Sequence, residues 1–136
     1  MASFTFPLGA EKILQGMLDW TTADVRAVLL QSGVTIDADT MEYLSDVPEA
    51  WRIAKSGTIT GKSISAGMAL SHAVLFEDFI DSEARQVGAI LLVCEGVDDA
   101  STLLVAYYEG TTGFPFVGNG RSYFIAPLGG QGWFNL

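Results

Sequence analysis

The hydrophobic pattern of the chain is strongest between residues 86 and 110. Two apolar runs, residues 88–94 and 102–108, flank a polar turn at residues 95–101. Each run has the length of a β-strand, is rich in apolar β-branched, aliphatic or aromatic side chains, and is bounded by Gly or Asp. The pattern predicts a buried β-ribbon around which the rest of the chain is arranged.

The first of these two runs is apolar on both faces. Successive residues of a strand point to opposite sides of the sheet, so that two sets of side chains alternate along it. These sets are Ala89, Leu91 and Val93 on one face, and Ile90, Leu92 and Cys94 on the other. One face can fill a core. The other must be covered by a second layer, by the N-terminal helix, or by another subunit.

Residues 1–6 are predicted to form an extended N-terminal arm, because Phe4 and Phe6 are two positions apart and would share one side of it. The arm docks either on the chain's own core or on the sheet edge of a neighbouring subunit. Pro7 suits the start of a short helix. The helix would carry an apolar stripe at helical spacing, consisting of Ala10, Ile13, Leu14 and Met17.

The remaining apolar runs are short and separated by turn residues. Strands are predicted at residues 25–31, 51–55 (an edge strand), 69–76, 114–117, 121–126 and 132–136, with a short helix at 40–45 and a tight turn at 118–120. The Gly-rich stretch 56–67 specifies its structure weakly. Together these features predict one all-β domain over residues 1–136, a β-sandwich or jelly roll of about seven or eight strands with a short N-terminal helix.

Charge and hydropathy narrow the classes of function. Seven Lys and Arg against sixteen Asp and Glu give a formal charge of −9, which repels phosphate and argues against nucleic-acid binding. No run of eighteen apolar residues predicts a membrane span, and no signal-peptide pattern precedes the arm, so we expect folding in a cytoplasm. The mean hydropathy of +0.33 is high for a small soluble chain. It suggests surface covered in a homo-oligomer, a dimer or trimer.

Residues that carry chemistry are isolated in the sequence. His72 is the single histidine, and its neighbour Ser71 would point to the opposite face of a strand. Cys94 lies in an apolar run, where burial raises the pKa of a thiol and makes it inert. Asp98 and Asp99 lie in a turn with no histidine nearby. We therefore predict no catalytic residues, no cofactor and no metal site, and expect that the protein is not an enzyme.

Several stretches in order resemble small structural proteins of tailed-bacteriophage virions. They are the short helix ending near residues 18–19, the runs 25–32 and 39–47, the Ser-Gly-rich middle, the runs 89–96 and 103–110, a Gly-Asn-Gly turn, and a Trp-bearing last strand. The segment 76–85 is shorter and poorer in threonine than in similar sequences. The order and spacing of the stretches carry the resemblance.

The resemblance implies a capsid cement (decoration) protein, which binds the outside of the shell and clamps neighbouring major capsid proteins. Such a protein would be made in the host cytoplasm and end on the exterior of the virion. One alternative is a tail or adhesin component that contacts a host receptor through aromatic residues at loop tips, such as Phe114, Phe116 and Tyr123. Another is a jelly-roll hydrolase or isomerase with His72 in a polar pocket.

Large aromatic residues near the chain ends are the predicted contacts with a partner, because aromatic side chains make good anchors. They are Phe4, Phe6, Trp133 and Phe134. The alternative is that they fill the chain's own sandwich.

Overall fold

The computed structural model describes residues 3–109, 115–125 and 133–135, and these form a mainly β structure with one short α-helix. In chain order the elements are β1 (Ser3–Thr5), α1 (Pro7–Leu14), β2 (Val25–Gln31), β3 (Arg52–Lys55), β4 (Ser63–Ser65), β5 (Met68–Leu70), β6 (Val74–Phe76), β7 (Gln86–Cys94), β8 (Leu103–Glu109), β9 (Phe116–Val117), β10 (Tyr123–Ile125) and β11 (Phe134–Asn135). Two 3₁₀ turns lie at Leu44–Asp46 and Glu49–Trp51.

The strands form one large antiparallel sheet and two small ones. The large sheet has the order β1-β8-β7-β2-β3, and β9 pairs with the start of β7. One small sheet pairs β10 with β6, and the other has the order β11-β5-β4. The all-β prediction is confirmed, although the described residues contain eleven strands rather than seven or eight.

The two long apolar runs are the centre of the large sheet, as the pattern predicts. β7 pairs with β8 on one side and with β2 on the other, and both faces of β7 are buried. The two small sheets cover one face with Ala69, Val74 and Phe76. Trp20 and Trp133, which lie outside the strands, belong to the same buried cluster. We call this layer the minor-sheet side.

The opposite face of the large sheet is covered by the arm and by residues 34–51, and we call it the arm side. Phe6, Leu44 and Val47 are fully buried there against Leu91 and Leu104. The cover of this face is therefore a layer formed by the same chain and not by another subunit.

Three local predictions are wrong. Residues 69–76 form two strands in different sheets, β5 and β6, rather than one. Residues 40–45 do not form a helix, because the backbone N–H of Leu44 donates to the carbonyl of Thr102 and that of Leu104 donates to the carbonyl of Glu42, which ties this segment to the start of β8. The tight turn predicted at 118–120 is replaced by a β-bridge between Asn119 and Ile80, and this segment connects β9, which pairs with β7, to β10, which pairs with β6.

The helix α1 also differs from its predicted stripe. Gly9 is its fully buried residue, and Ile13 of the stripe packs against the core while partly buried, whereas Leu14 and Met17 are 74% and 68% exposed. The helix continues alongside β8 where β1 ends, and at Gly9 it contacts β8 by close backbone approach. Among the residues that the structure describes, no helix is long and apolar enough to cross a membrane.

Gly9 is a position at which even a methyl group does not fit. A Cβ there would lie 2.5 Å from the carbonyl oxygen of Leu104. We expect Gly9→Ala to lower the free energy of unfolding by about 1–3 kcal/mol, because overpacking outweighs the better helix propensity of Ala. The measurement is urea denaturation of both proteins.

Gly57→Ala is the matched control, since a Cβ at Gly57 meets nothing within 4 Å. We expect it to change stability little. If Gly9→Ala proved as stable as the control, the close packing of α1 on β8 would be contradicted.

Candidate interaction surface

Two of the four predicted contact residues are buried inside the chain. Phe6 is 0% exposed and belongs to the arm-side cluster, and Trp133 is 5% exposed on the minor-sheet side. The Trp133 indole N–H donates to the hydroxyl of Ser71 at 2.7 Å, and the Tyr108 hydroxyl donates to the Trp133 carbonyl. The side chains of Phe6 and Trp133 therefore fill the chain's own sandwich, which is the alternative to a partner contact. Almost none of their surface is accessible to a partner.

The other two residues are half-buried. The Phe4 ring centroid lies 5.2 Å from those of Phe6 and Tyr107, and Phe134 meets Trp20 edge-on at 5.4 Å. β1 pairs with β8 of the same chain, which matches the docking of the arm on its own core. A partner contact at Phe4 or Phe134 stays a prediction.

The residues singled out for chemistry lie apart. His72 is exposed, and its Nδ1 lies 3.5 Å from the hydroxyl of Thr60. Ser71 accepts from Trp133 and donates to the carbonyl of His72, so its hydroxyl does not face the imidazole. Burial raises the pKa of the Cys94 thiol, as predicted. Among the described residues, no three His, Cys, Asp or Glu side chains converge on a metal-sized site.

The carboxylates of the turn between β7 and β8 have structural partners. Asp99 accepts from the Arg52 guanidinium at 2.7 Å, which lowers the pKa of Asp99. Asp98 accepts from the Ser101 backbone and hydroxyl at 3.1 and 3.0 Å. These contacts close the turn and leave its carboxylates engaged.

A shallow, open cleft of about 150 Å³ lies beside the end of β2. Gln31, Tyr107 and Glu109 are among its lining residues, and the Tyr107 hydroxyl donates to the Glu109 carboxylate at 2.5 Å. His72 does not line it. The pocket required by the hydrolase alternative is therefore not formed by this cleft.

In the described part of the chain, exposed apolar side chains occur side by side on the ribbon formed by β6 and β10. Leu75 and Phe124 are directly opposite in its register and are 41% and 71% exposed. The pairing continues to a bridge between Ile80 and Asn119, and Ile80 is 70% exposed. Val117, which is 40% exposed, lies in β9 and pairs with β7, so it belongs to the large sheet. We call Leu75, Ile80 and Phe124 the outer ribbon face.

The opposite side of this ribbon packs inward as a set of aromatic rings. Phe79 contacts Phe76, Phe116 and Tyr123 at centroid distances of 6.2, 6.3 and 6.0 Å, and Phe116 stacks on Tyr123 at 4.3 Å. Phe116 and Tyr123 lie in strands and are half-buried, so they are not the loop-tip aromatics of the receptor-binding alternative. Phe114 lies outside the described residues. The inner rings hold the outer ribbon face on a packed support.

A charged loop fixes the far end of the ribbon. The buried carboxylate of Asp81 accepts from the backbone N–H groups of Glu83 and Arg85 and from the Arg85 guanidinium at 3.0 Å. The hydrogen bond from Arg85 is the largest cause of the lowered pKa of Asp81. Asp81 thus connects the segment after Ile80 to the start of β7.

Sequence reasoning missed the outer ribbon face, although a signal was present. The triplets Val74-Leu75-Phe76 and Tyr123-Phe124-Ile125 are apolar at every position, as the central runs are. A strand with no polar position is apolar on both faces, whichever way it is turned. The pairing of these two triplets, which brings Leu75 beside Phe124, required the structure.

Matched Phe→Ala substitutions distinguish the buried arm residue from the exposed ribbon residue. We expect Phe6→Ala to lower the free energy of unfolding by about 3–5 kcal/mol, because it empties a fully buried site. Phe124→Ala should change it by less than about 0.5 kcal/mol, as for other surface positions. Chemical denaturation measures both, and equal losses would contradict the different burial of the two rings.

The Asp81–Arg85 contact predicts a loss of stability in acid. A carboxyl whose pKa is lowered on folding stabilises the protein above its unfolded pKa of about 4, and the stabilisation is lost as pH falls through the lower folded value. At pH 7 the Asp81→Asn variant should therefore have a lower free energy of unfolding than the wild type. Below pH 4 its free energy of unfolding should fall less than that of the wild type. The measurement is a series of denaturation curves from pH 7 to pH 2.

Asp39→Asn is the control for this series, because Asp39 is exposed and its removal also deletes one negative charge. It should follow the wild-type pH profile. Identical profiles for Asp81→Asn and the wild type would show that the contact does not contribute to the pH dependence.

Comparison of the chain with protein-family models, with curated proteins and with solved structures found no match.

Proposed function

We propose that this protein is a structural component of a bacteriophage virion, which binds the outside of the capsid and clamps neighbouring major capsid proteins. The observation that carries the proposal is the outer ribbon face. Its three large apolar side chains are exposed on a ribbon whose other side is packed with aromatic rings. Exposed apolar patches of this kind mark interaction sites.

The fold suits a clamp, because the domain needs no partner to close its core. Both faces of the large sheet are covered by the chain itself, so the protein can fold before it binds. A domain that binds only the assembled shell stabilises that state by mass action. Apolar contact contributes about 25 cal/mol per Å² buried, repeated at every copy.

The sequence and charge support the same proposal. The order of helix, strands and turns resembles small virion structural proteins, and the formal charge of −9 would keep coated particles apart from one another. A dimer or trimer of the clamp stays a prediction, which the mass of the protein in solution measures directly.

The test is a phage that lacks the gene for this chain. We expect particles that package DNA normally but lose infectivity at a lower temperature than the wild type, because the clamp stabilises the filled shell. Restoring the gene in trans should restore heat tolerance. Unchanged heat tolerance of the deleted particles would contradict the proposal.

Copy number separates the clamp from a tail or receptor-binding component. A stained gel of purified wild-type particles should show the chain in a number comparable to that of the major capsid protein. A handful of copies per particle would favour the tail.

A further inference from the structure

The outer ribbon face contains three of the eight large apolar side chains that are exposed in the described part of the chain. Leu75, Ile80 and Phe124 are on it, and the other five are distributed over α1, its C-terminal flank, β4, the turn after β7 and β9. Burying one such side chain on binding removes it from water and favours the complex. The face is therefore the strongest candidate for a docking surface.

Backbone hydrogen bonds and close packing hold the outer ribbon face in one conformation. The backbone N–H of Phe79 donates to the carbonyl of Arg121, and that of Gly120 donates to the carbonyl of Phe79, which continues the ribbon beyond β6 and β10. A Cβ at Gly118 would lie 2.7 Å from the Phe79 ring, so backbone and ring are closely packed. A surface already ordered in the free protein binds with little further loss of conformational entropy.

The charge around the face defines what can dock there. Glu77 and Asp78 are exposed and lie along the chain between Leu75 and Ile80. Arg121 is the one cation in the described segments 74–80 and 115–125. Elsewhere, four of the chain's cations, Arg26, Arg52, Lys55 and Arg85, already form ion pairs with its own carboxylates.

A second copy of the chain fits this surface poorly. Self-association through the face would bring together two borders that each carry Glu77 and Asp78 against the single cation Arg121, each in a protein of formal charge −9. Like charges brought together across an interface oppose binding, whereas a patch of opposite sign both attracts the partner and fixes its orientation. The acidic border favours a different protein with a basic border.

We propose that the outer ribbon face docks on an apolar patch bordered by Lys and Arg side chains on the exterior of the major capsid protein. This inference rests on the proposed function and specifies which surface of the clamp makes the contact. Leu75 and Phe124 would enter the apolar patch. Glu77 and Asp78 would pair with the basic border.

The experiment measures binding of the purified chain to phage particles assembled without it, by cosedimentation at several salt concentrations. The apolar variant is Leu75→Ala with Phe124→Ala, and its matched control is Leu14→Ala with Ile64→Ala, at exposed sites elsewhere. We expect the apolar variant to bind at least about tenfold more weakly than the control, as for the central anchors of an interface. Thermal unfolding verifies that both are folded.

A second pair of variants tests the basic border. Glu77→Gln with Asp78→Asn removes two charges beside the face, and Asp39→Asn with Glu49→Gln removes two exposed charges elsewhere. Asn suits position 78, whose φ is +48°. We expect the first pair to bind at least about threefold more weakly than the second pair at low salt. Its binding should also depend less on salt, because it lacks the complementary charges.

The outcomes separate the two proposals. If the wild-type chain binds the particles and the apolar variant binds equally well, the clamp function stands and the assignment of its face is wrong. If the wild-type chain does not bind, the function fails and the docking inference fails with it. Tighter binding of the charge variant, or a wild-type oligomer that dissociates in the apolar variant, would also overturn the inference.

Discussion

The whole structure depends on covering a sheet that is apolar on both sides. β7 runs through its centre, and neither face of the strand has a row of polar side chains that could remain in water. Leaving such a face in contact with water would reduce the free energy of folding gained by burial by about 25 cal/mol for each Å² of exposed apolar surface. The chain meets this requirement twice, with two small sheets on one face and with the arm and residues 34–51 on the other.

The covering layers are made of short pieces, and this explains where apolar surface is left over. β6 and β10 are three residues long each, and every residue in them is apolar. Val74 and Phe76 point into the core, which leaves Leu75 and its neighbour Phe124 on the outside. The central strands β7 and β8 are covered on both faces, whereas the ribbon of β6 and β10 is covered on its inner face and exposed at Leu75 and Phe124 on the other.

The sequence was sufficient for the long elements and insufficient for the short ones. β2, β7 and β8 are predictable because each is a long apolar run whose neighbours along the chain are turn residues. The break between β5 and β6 depends on distant partners, since Ser71 accepts from Trp133 and the backbone N–H of His72 donates to Thr60. Local periodicity contains no information about such contacts.

Strand pairing also determines which aromatic residues form the candidate surface. The aromatic residues near the ends of the chain were recognisable as a group, but only the pairing of strands decides which of them face inward. Phe6 is buried because Leu44 and Val47 close over it, and backbone hydrogen bonds from Leu44 to Thr102 and from Leu104 to Glu42 hold this segment at the start of β8. Phe124 is exposed because its partner Leu75 also faces outward.

The pairing of β1 with β8 has a consequence for how the protein is made. Phe4 lies opposite Tyr107, and Phe134 opposite Ala69, so strands that leave the ribosome early wait for partners that leave it late. Contacts between positions so distant in sequence form slowly, because a long loop must close before they stabilise anything. Until then Phe4 and Phe6 are exposed on the nascent chain, and synthesis rather than the finished fold is the stage at which this protein is most open to aggregation.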